Sequence, residues 1–228
     1  VTPAIDRYTK AHNILGERFL KIRQHPDAKL TTEQAFKNLG QEKQMREDLA
    51  TATAYYLNHV RQNKPYPKTT HQQMNRMIQI AHYISLMRTR VMGHYHYGVL
   101  VEPYFTEPEV PTRVVKQLKK LIIGLAIVRQ HKDITEEDMK TIQRVAKDCS
   151  IPIRQKIVDA LRTFLNKEVL PFQLQHATKL PLNTVKNELI KMVLLGIVEE
   201  DTKTEGKDSI TFYRLKQDFE GLCNVVYK

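Results

Sequence analysis

Tryptophan is absent from this 228-residue chain, and cysteine is nearly so, with only Cys149 and Cys223. Two thiols cannot build a disulfide framework, so the expected compartment is the reducing cytoplasm. Eight glycines and ten prolines are too few for a fibrous or linker-like chain. No apolar run exceeds Leu121 to Val128, far short of the ~20 residues that span a bilayer. No segment reads as a signal peptide, so no membrane partner is expected. Acidic residues are in deficit: 25 Asp+Glu face 36 Lys+Arg, a formal net charge of +11. The hydrophobic fraction, 41%, is too high for a disordered chain. An initiator methionine is also lacking. The chain opens Val1-Thr2-Pro3, which reads most simply as a fragment of a longer protein or a processed product. The length suits one large or two small domains.

The basic excess points to an acidic partner, of which nucleic acid is the commonest. It is unevenly spread. Residues 151–228 hold 12 Lys+Arg and 10 Asp+Glu, a net of +2; residues 1–150 hold 24 and 15, a net of +9. Between Asp48 and Glu102 there is no acid at all. That interval holds Arg61, Lys64, Lys68, Arg76, Arg88 and Arg90, interleaved with five histidines and six tyrosines. Cations attract phosphates and aromatic rings stack on bases. Arg88 and Arg90 are the leading candidates there for nucleic-acid contact. Two other readings stand beside it: a solvated face over core tyrosines, or arginines turned toward a nucleotide or a neighbouring subunit.

Periodicity predicts a mainly α protein. Thr31-Thr32-Glu33 opens a helix carrying Leu39, Met45, Leu49, Ala52, Tyr56 and Val60 at helical spacing, broken at Lys64-Pro65-Tyr66-Pro67. A second helix is expected from about Thr70 to Met92. Gly93 to Pro111, with three prolines, reads as an irregular linker holding at most a short strand. Pro111 opens the most apolar helix, through Val128. Thr135 followed by Glu136, Glu137 and Asp138 is a capped restart. Helices follow from about Pro152 to Asn166, Pro171 to Thr178 and Pro181 to Leu195, where Gly196 stops the last. Two strands then flank the polar stretch Lys203 to Asp208, and a short helix closes the chain.

The order helix, short helix, turn, helix, strand, polar loop, strand, and above all the run from Thr178 to Glu199, resembles a winged helix-turn-helix. That resemblance implies a DNA-facing third helix with Asn183, Lys186, Asn187 and Lys191 on its polar side. Lys203 and Lys207 would belong to the wing. A winged helix that binds protein instead fits the modest charge after residue 150 and the acids Glu205 and Asp208.

Three upstream features resemble the C-terminal half of an AAA+ ATPase. Leu15-Gly16-Glu17-Arg18-Phe19-Leu20 is similar to the arginine-finger box, which implies Arg18 as a catalytic finger acting in trans on a neighbouring subunit's nucleotide. Glu107 to Leu118, through Pro111-Thr112-Arg113, is similar to the sensor 2 helix, which implies Arg113 as a nucleotide-binding residue. Ile134 to Asp138 is similar to the start of the last lid helix. The resemblance implies four segments: 1–30, the tail end of an AAA+ core; 31–102, a helical insertion; 103–150, the lid; 151–228, the winged helix. ATP and Mg, an upstream core, neighbouring subunits and a homo-oligomer are implied for the parent protein, as an initiator, helicase or helicase loader.

No phosphate loop of the Gly-x-x-x-x-Gly-Lys-Ser/Thr type is present. Gly93 and Gly98 have the glycine spacing, but Val99 and Leu100 stand where Lys and Ser/Thr are needed. The chain is therefore expected to hold no cofactor and hydrolyse no ATP alone. His94-x-His96 has metal-ligand spacing on a strand, with no nearby Cys or acid in sequence, and no metal site is expected. Two alternatives belong to other classes: a stand-alone winged-helix transcriptional regulator, and a protein-binding adaptor of a mobile-element or defence system.

Overall fold

The computed structural model describes residues 19–24, 27–62, 66–104, 107–164, 167–205 and 208–227. These residues are mainly helical, with two small antiparallel hairpins. In chain order they form α1 (Ala28–Lys37), α2 (Glu42–Gln62), α3 (His71–Arg88), β1 (Met92–His96), β2 (Val99–Tyr104), α4 (Thr112–Val128) and α5 (Glu136–Cys149). Then come α6 (Pro152–Thr163), α7 (Pro171–Thr178), α8 (Leu182–Leu194), β3 (Val198–Glu205), β4 (Asp208–Leu215) and α9 (Gln217–Val226). No described helix is long and apolar enough to cross a membrane.

The helix boundaries follow local chemistry. Thr70 and Gln73 form a capping box that starts α3, and Thr135 and Asp138 form another that starts α5. Past the end of α8, Gly196 takes φ +69, and the Ile197 N–H reaches back to the Met192 carbonyl at 2.9 Å. That is a Schellman closure, and the left-handed residue it needs is cheapest as glycine.

The core is built around α3. Met77, Ile80, Ala81, Ile84 and Met87 are fully buried. They pack against Val114, Leu118 and Ile122 of α4 and Met139, Ile142 and Val145 of α5. Helix α9 closes the other side, with the Phe219 ring stacked on Tyr83 at 5.4 Å between centroids. The same apolar cluster continues through Ile157, Leu174, Val185, Leu189 and Leu215. It runs across residue 150 without interruption. Helices α1 and α2 are different. Their apolar residues are at helical spacing, yet Leu30, Phe36, Leu49 and Leu57 are exposed and only Val60 is buried.

The segment expected as an irregular linker is a hairpin. His96 pairs with Val99 across a two-residue turn, Tyr97-Gly98, in which both residues have positive φ. That is the backbone of a type I′ turn, whose twist matches the flanking strands. Gly93 lets the strands close: a Cβ there would lie 2.7 Å from the Glu102 carbonyl oxygen and 2.9 Å from the Pro103 Cα. The glycine spacing that mimics half a phosphate loop thus serves strand packing at one end and a turn at the other.

Candidate nucleic-acid interface and a buried arginine cluster

Helix α8 carries four of the residues expected to face DNA. Val185, Leu189 and Met192 bury one side of it. Asn183 and Lys186, on its first two turns, are exposed. Asn187 and Lys191 are half-buried, because the β1–β2 hairpin sits on them. The Asn187 amide bonds both ways with the outer edge of β2. Nδ2 donates to the Gly98 carbonyl at 2.7 Å, and Oδ1 accepts from the Leu100 N–H at 3.0 Å. A side-chain amide here satisfies a sheet edge that would otherwise lie open. The Lys191 ammonium lies 5.8 Å from the centre of the Tyr95 ring, within cation–π range.

The wing side is sparser. The Lys203 ammonium pairs with Glu168 at 2.5 Å and lies 5.1 Å from the Phe212 ring centre. The bond to Glu168 raises its pKa above the ordinary lysine value. Lys207 and Arg18 lie outside the described residues.

Arg88 and Arg113 meet through one carboxylate. Glu109 accepts from Arg113 Nε at 2.8 Å on one oxygen and binds Arg88 Nη2 on the other. Arg113 is partly exposed, whereas the Arg88 side chain is only 3% exposed. It therefore offers no surface to nucleic acid in this arrangement. Arg88 Nε and Nη1 and the neighbouring Ser85 Oγ have no hydrogen-bond partner among the described residues. Arg90, just beyond α3, is half-buried.

Sequence reasoning missed Arg154, the largest fully buried side chain among the described residues. Its Nε donates to Glu188 of α8 at 2.8 Å. Its Nη1 donates to the carbonyls of Leu86, Met87 and Thr89, at 2.9, 3.2 and 2.8 Å. One guanidinium thus closes the C-terminus of α3, where carbonyls lack helical partners, and ties it to α8. Burial pulls its pKa down, and Glu188 opposes that. The signal was present in the text. Arg154 shares a stripe with Ile157, Val158 and Leu161, and Glu188 shares one with Val185, Leu189 and Met192. Charges at core positions of two helices ask for each other.

Two further features were legible only in part. Asp138, expected as a first-turn acid, is buried as well. Burial works against its carboxylate, but bonds from the Thr135 backbone N–H, His131, Arg129 and the Thr135 hydroxyl outweigh it and hold its pKa down to about 2. Both cysteines are buried, and burial pushes the Cys223 thiol up to about 12. No cluster of three or more His, Cys, Asp or Glu suited to a metal ion occurs among the described residues. The glycine pair with phosphate-loop spacing, Gly93 and Gly98, belongs to the β1–β2 hairpin. No family model, curated protein or solved structure matches the chain.

Proposed function

We propose that the chain is the C-terminal part of an AAA+ ATPase that acts on DNA, with residues 151–228 forming a DNA-binding winged helix. The observation that carries the winged-helix reading is a one-residue bridge to the wing hairpin. Val169, between α6 and α7, exchanges two backbone bonds with Tyr213 of β4, at 3.0 and 2.9 Å. A single-residue bridge that ties the segment ahead of the second helix to the β3–β4 hairpin is consistent with a winged helix. The AAA+ reading rests on the resemblance of the finger box and the sensor 2 helix. The Glu109 bridge supports it, because it holds Arg113 at the start of α4 and joins it to a second arginine with free N–H groups. Arg88 is buried, so in this reading it holds Glu109, and through it Arg113, rather than meeting DNA itself. ATP and Mg belong, in this reading, to a core upstream of Val1; this chain contributes arginines and the coupling to α8.

DNA binding to the protein is expected to weaken steeply with salt, because phosphate neutralisation releases counterions. Replacing Lys186, Lys191 and Lys207 together with alanine is expected to lower affinity at least ~10-fold and flatten the salt dependence by about two to three contacts. Fluorescence anisotropy on a labelled 20-bp duplex measures both. A complex indifferent to salt, or no complex, overturns the DNA role. A phosphate loop encoded within ~150–250 residues upstream of Val1, the usual span of one domain, supports the motor; its absence from the parent gene overturns it.

A further inference from the structure

The geometry points to a composite surface, made by the β1–β2 hairpin tip and the first turns of α8, that binds an unpaired DNA strand. The inference rests on the DNA-binding reading above and changes which form of DNA this face takes.

A helix that reads a major groove must present its polar side free of other contacts. On α8 that side is half taken. Asn187 is committed to Gly98 and Leu100, and the Lys191 side chain is only 18% exposed, beside Tyr95. What projects instead is the hairpin. Tyr97 at its turn is 92% exposed and Tyr95 52%. The His96 ring stands edge-on to Tyr97 at 4.4 Å between centroids.

Tyr97 is costly where it stands. A bulky residue with φ +48 is strained, and the type I′ turn would accept Asn or Gly there with less cost. Its ring also gains nothing from burial. Backbone strain together with an exposed aromatic at a hairpin tip is the pattern of a residue kept for contact with something outside the chain. The charge around it names that contact. β1 contains no acid, and the exposed Asn183 and Lys186 of α8 lie on the helix that the hairpin docks against. The hairpin's one acid, Glu102, pairs in register with His94, well down the strands from the turn. Cations hold phosphates, and rings take the faces of bases.

Those faces are available only when bases are unstacked. A two-stranded ribbon can enter a duplex groove, but it reads base edges with polar side chains. This one carries Met92, Tyr95, Tyr97, Val99 and Val101 outward, which have little to offer an edge and much to offer a ring face.

Anisotropy titrations of the whole chain with labelled dT20 and with a 20-bp duplex at equal salt test the proposal. The dT20 complex is expected to be the tighter. Tyr97→Ala is expected to weaken it at least about fivefold, the loss of one stacked base, while duplex affinity stays within about twofold and Tyr97→Phe restores dT20 binding. Unchanged dT20 affinity in Tyr97→Ala overturns the proposal and leaves the winged-helix reading intact if salt-dependent duplex binding persists. Stronger duplex binding by Asn187→Ala also overturns it, because the hairpin would then be a cover over α8. Failure of the parent protein to bind either DNA removes both readings.

Discussion

Single side chains do the most physical work where charge is buried. Asp138 is fully enclosed yet remains ionised, because Arg129, His131 and the Thr135 backbone and hydroxyl surround it. Its folded pKa of about 2 lies below the ordinary aspartate value of about 3.9. A depressed carboxylate contributes stability that is present above the unfolded pKa. It is lost as pH falls through ~4 toward ~2. Asp138→Ala is expected to cost about 2–4 kcal/mol at neutral pH, by removing the carboxylate and orphaning its donors. Urea unfolding at pH 7 and pH 3 checks the sign: the gap between wild type and variant should narrow at the lower pH. An equal gap at both would mean that Asp138 does not titrate as described.

Among the elements, the β1–β2 hairpin departs most from expectation. Three prolines and alternating aromatics between Gly93 and Pro111 hide a strand pair whose turn is set by two positive-φ residues. Its closure depends on Gly93, against which the partner strand's backbone packs. Gly93→Ala would push a Cβ onto the Glu102 carbonyl oxygen and the Pro103 Cα, both backbone atoms that cannot swing away. The variant is expected to open the hairpin at a cost of about 1–3 kcal/mol. Amide exchange in the β1–β2 ladder reports it: the alanine variant should lose protection across the paired strands, while amides in the middle of α3 stay slow. Retained protection in the ladder would show that the strands tolerate the methyl group.

At the scale of the molecule, one core joins the helices before residue 150 to those after it, and Arg154 is its polar fastener. Replacing Arg154 with methionine is expected to destabilise the protein by about 3–5 kcal/mol, because Glu188 is left buried with only Lys191 at 3.5 Å. Replacing Glu188 with methionine as well should recover much of that loss, since an apolar pair of similar size needs no desolvation of charge. Denaturant midpoints of the two variants measure this. If the double variant is no better than the single one, the carbonyls of Leu86, Met87 and Thr89, rather than Glu188, account for the cost.

The sequence by itself determined most of the helices and several of their limits, but it ran α1 and α2 together and carried α3 on to Met92, where β1 begins. The capping boxes at Thr70 and Thr135, the apolar stripes of α4 to α8 and the stop at Gly196 are local. Local energies act over three or four residues, which is the range that periodicity can read. It also placed Asn183, Lys186, Asn187 and Lys191 on one face of α8. Only the tertiary structure decided which of those side chains are free. Asn187 is held by backbone groups 87 and 89 residues away in sequence. Arg88 is buried by its bridge to Glu109, and Arg154 by a partner 34 residues on. Such contacts depend on where helices cross, and helix crossing is set by the whole core rather than by any window of residues. The acid-free interval that starts after Asp48 ends inside the β1–β2 hairpin, at Glu102, and the fold set that hairpin on α8.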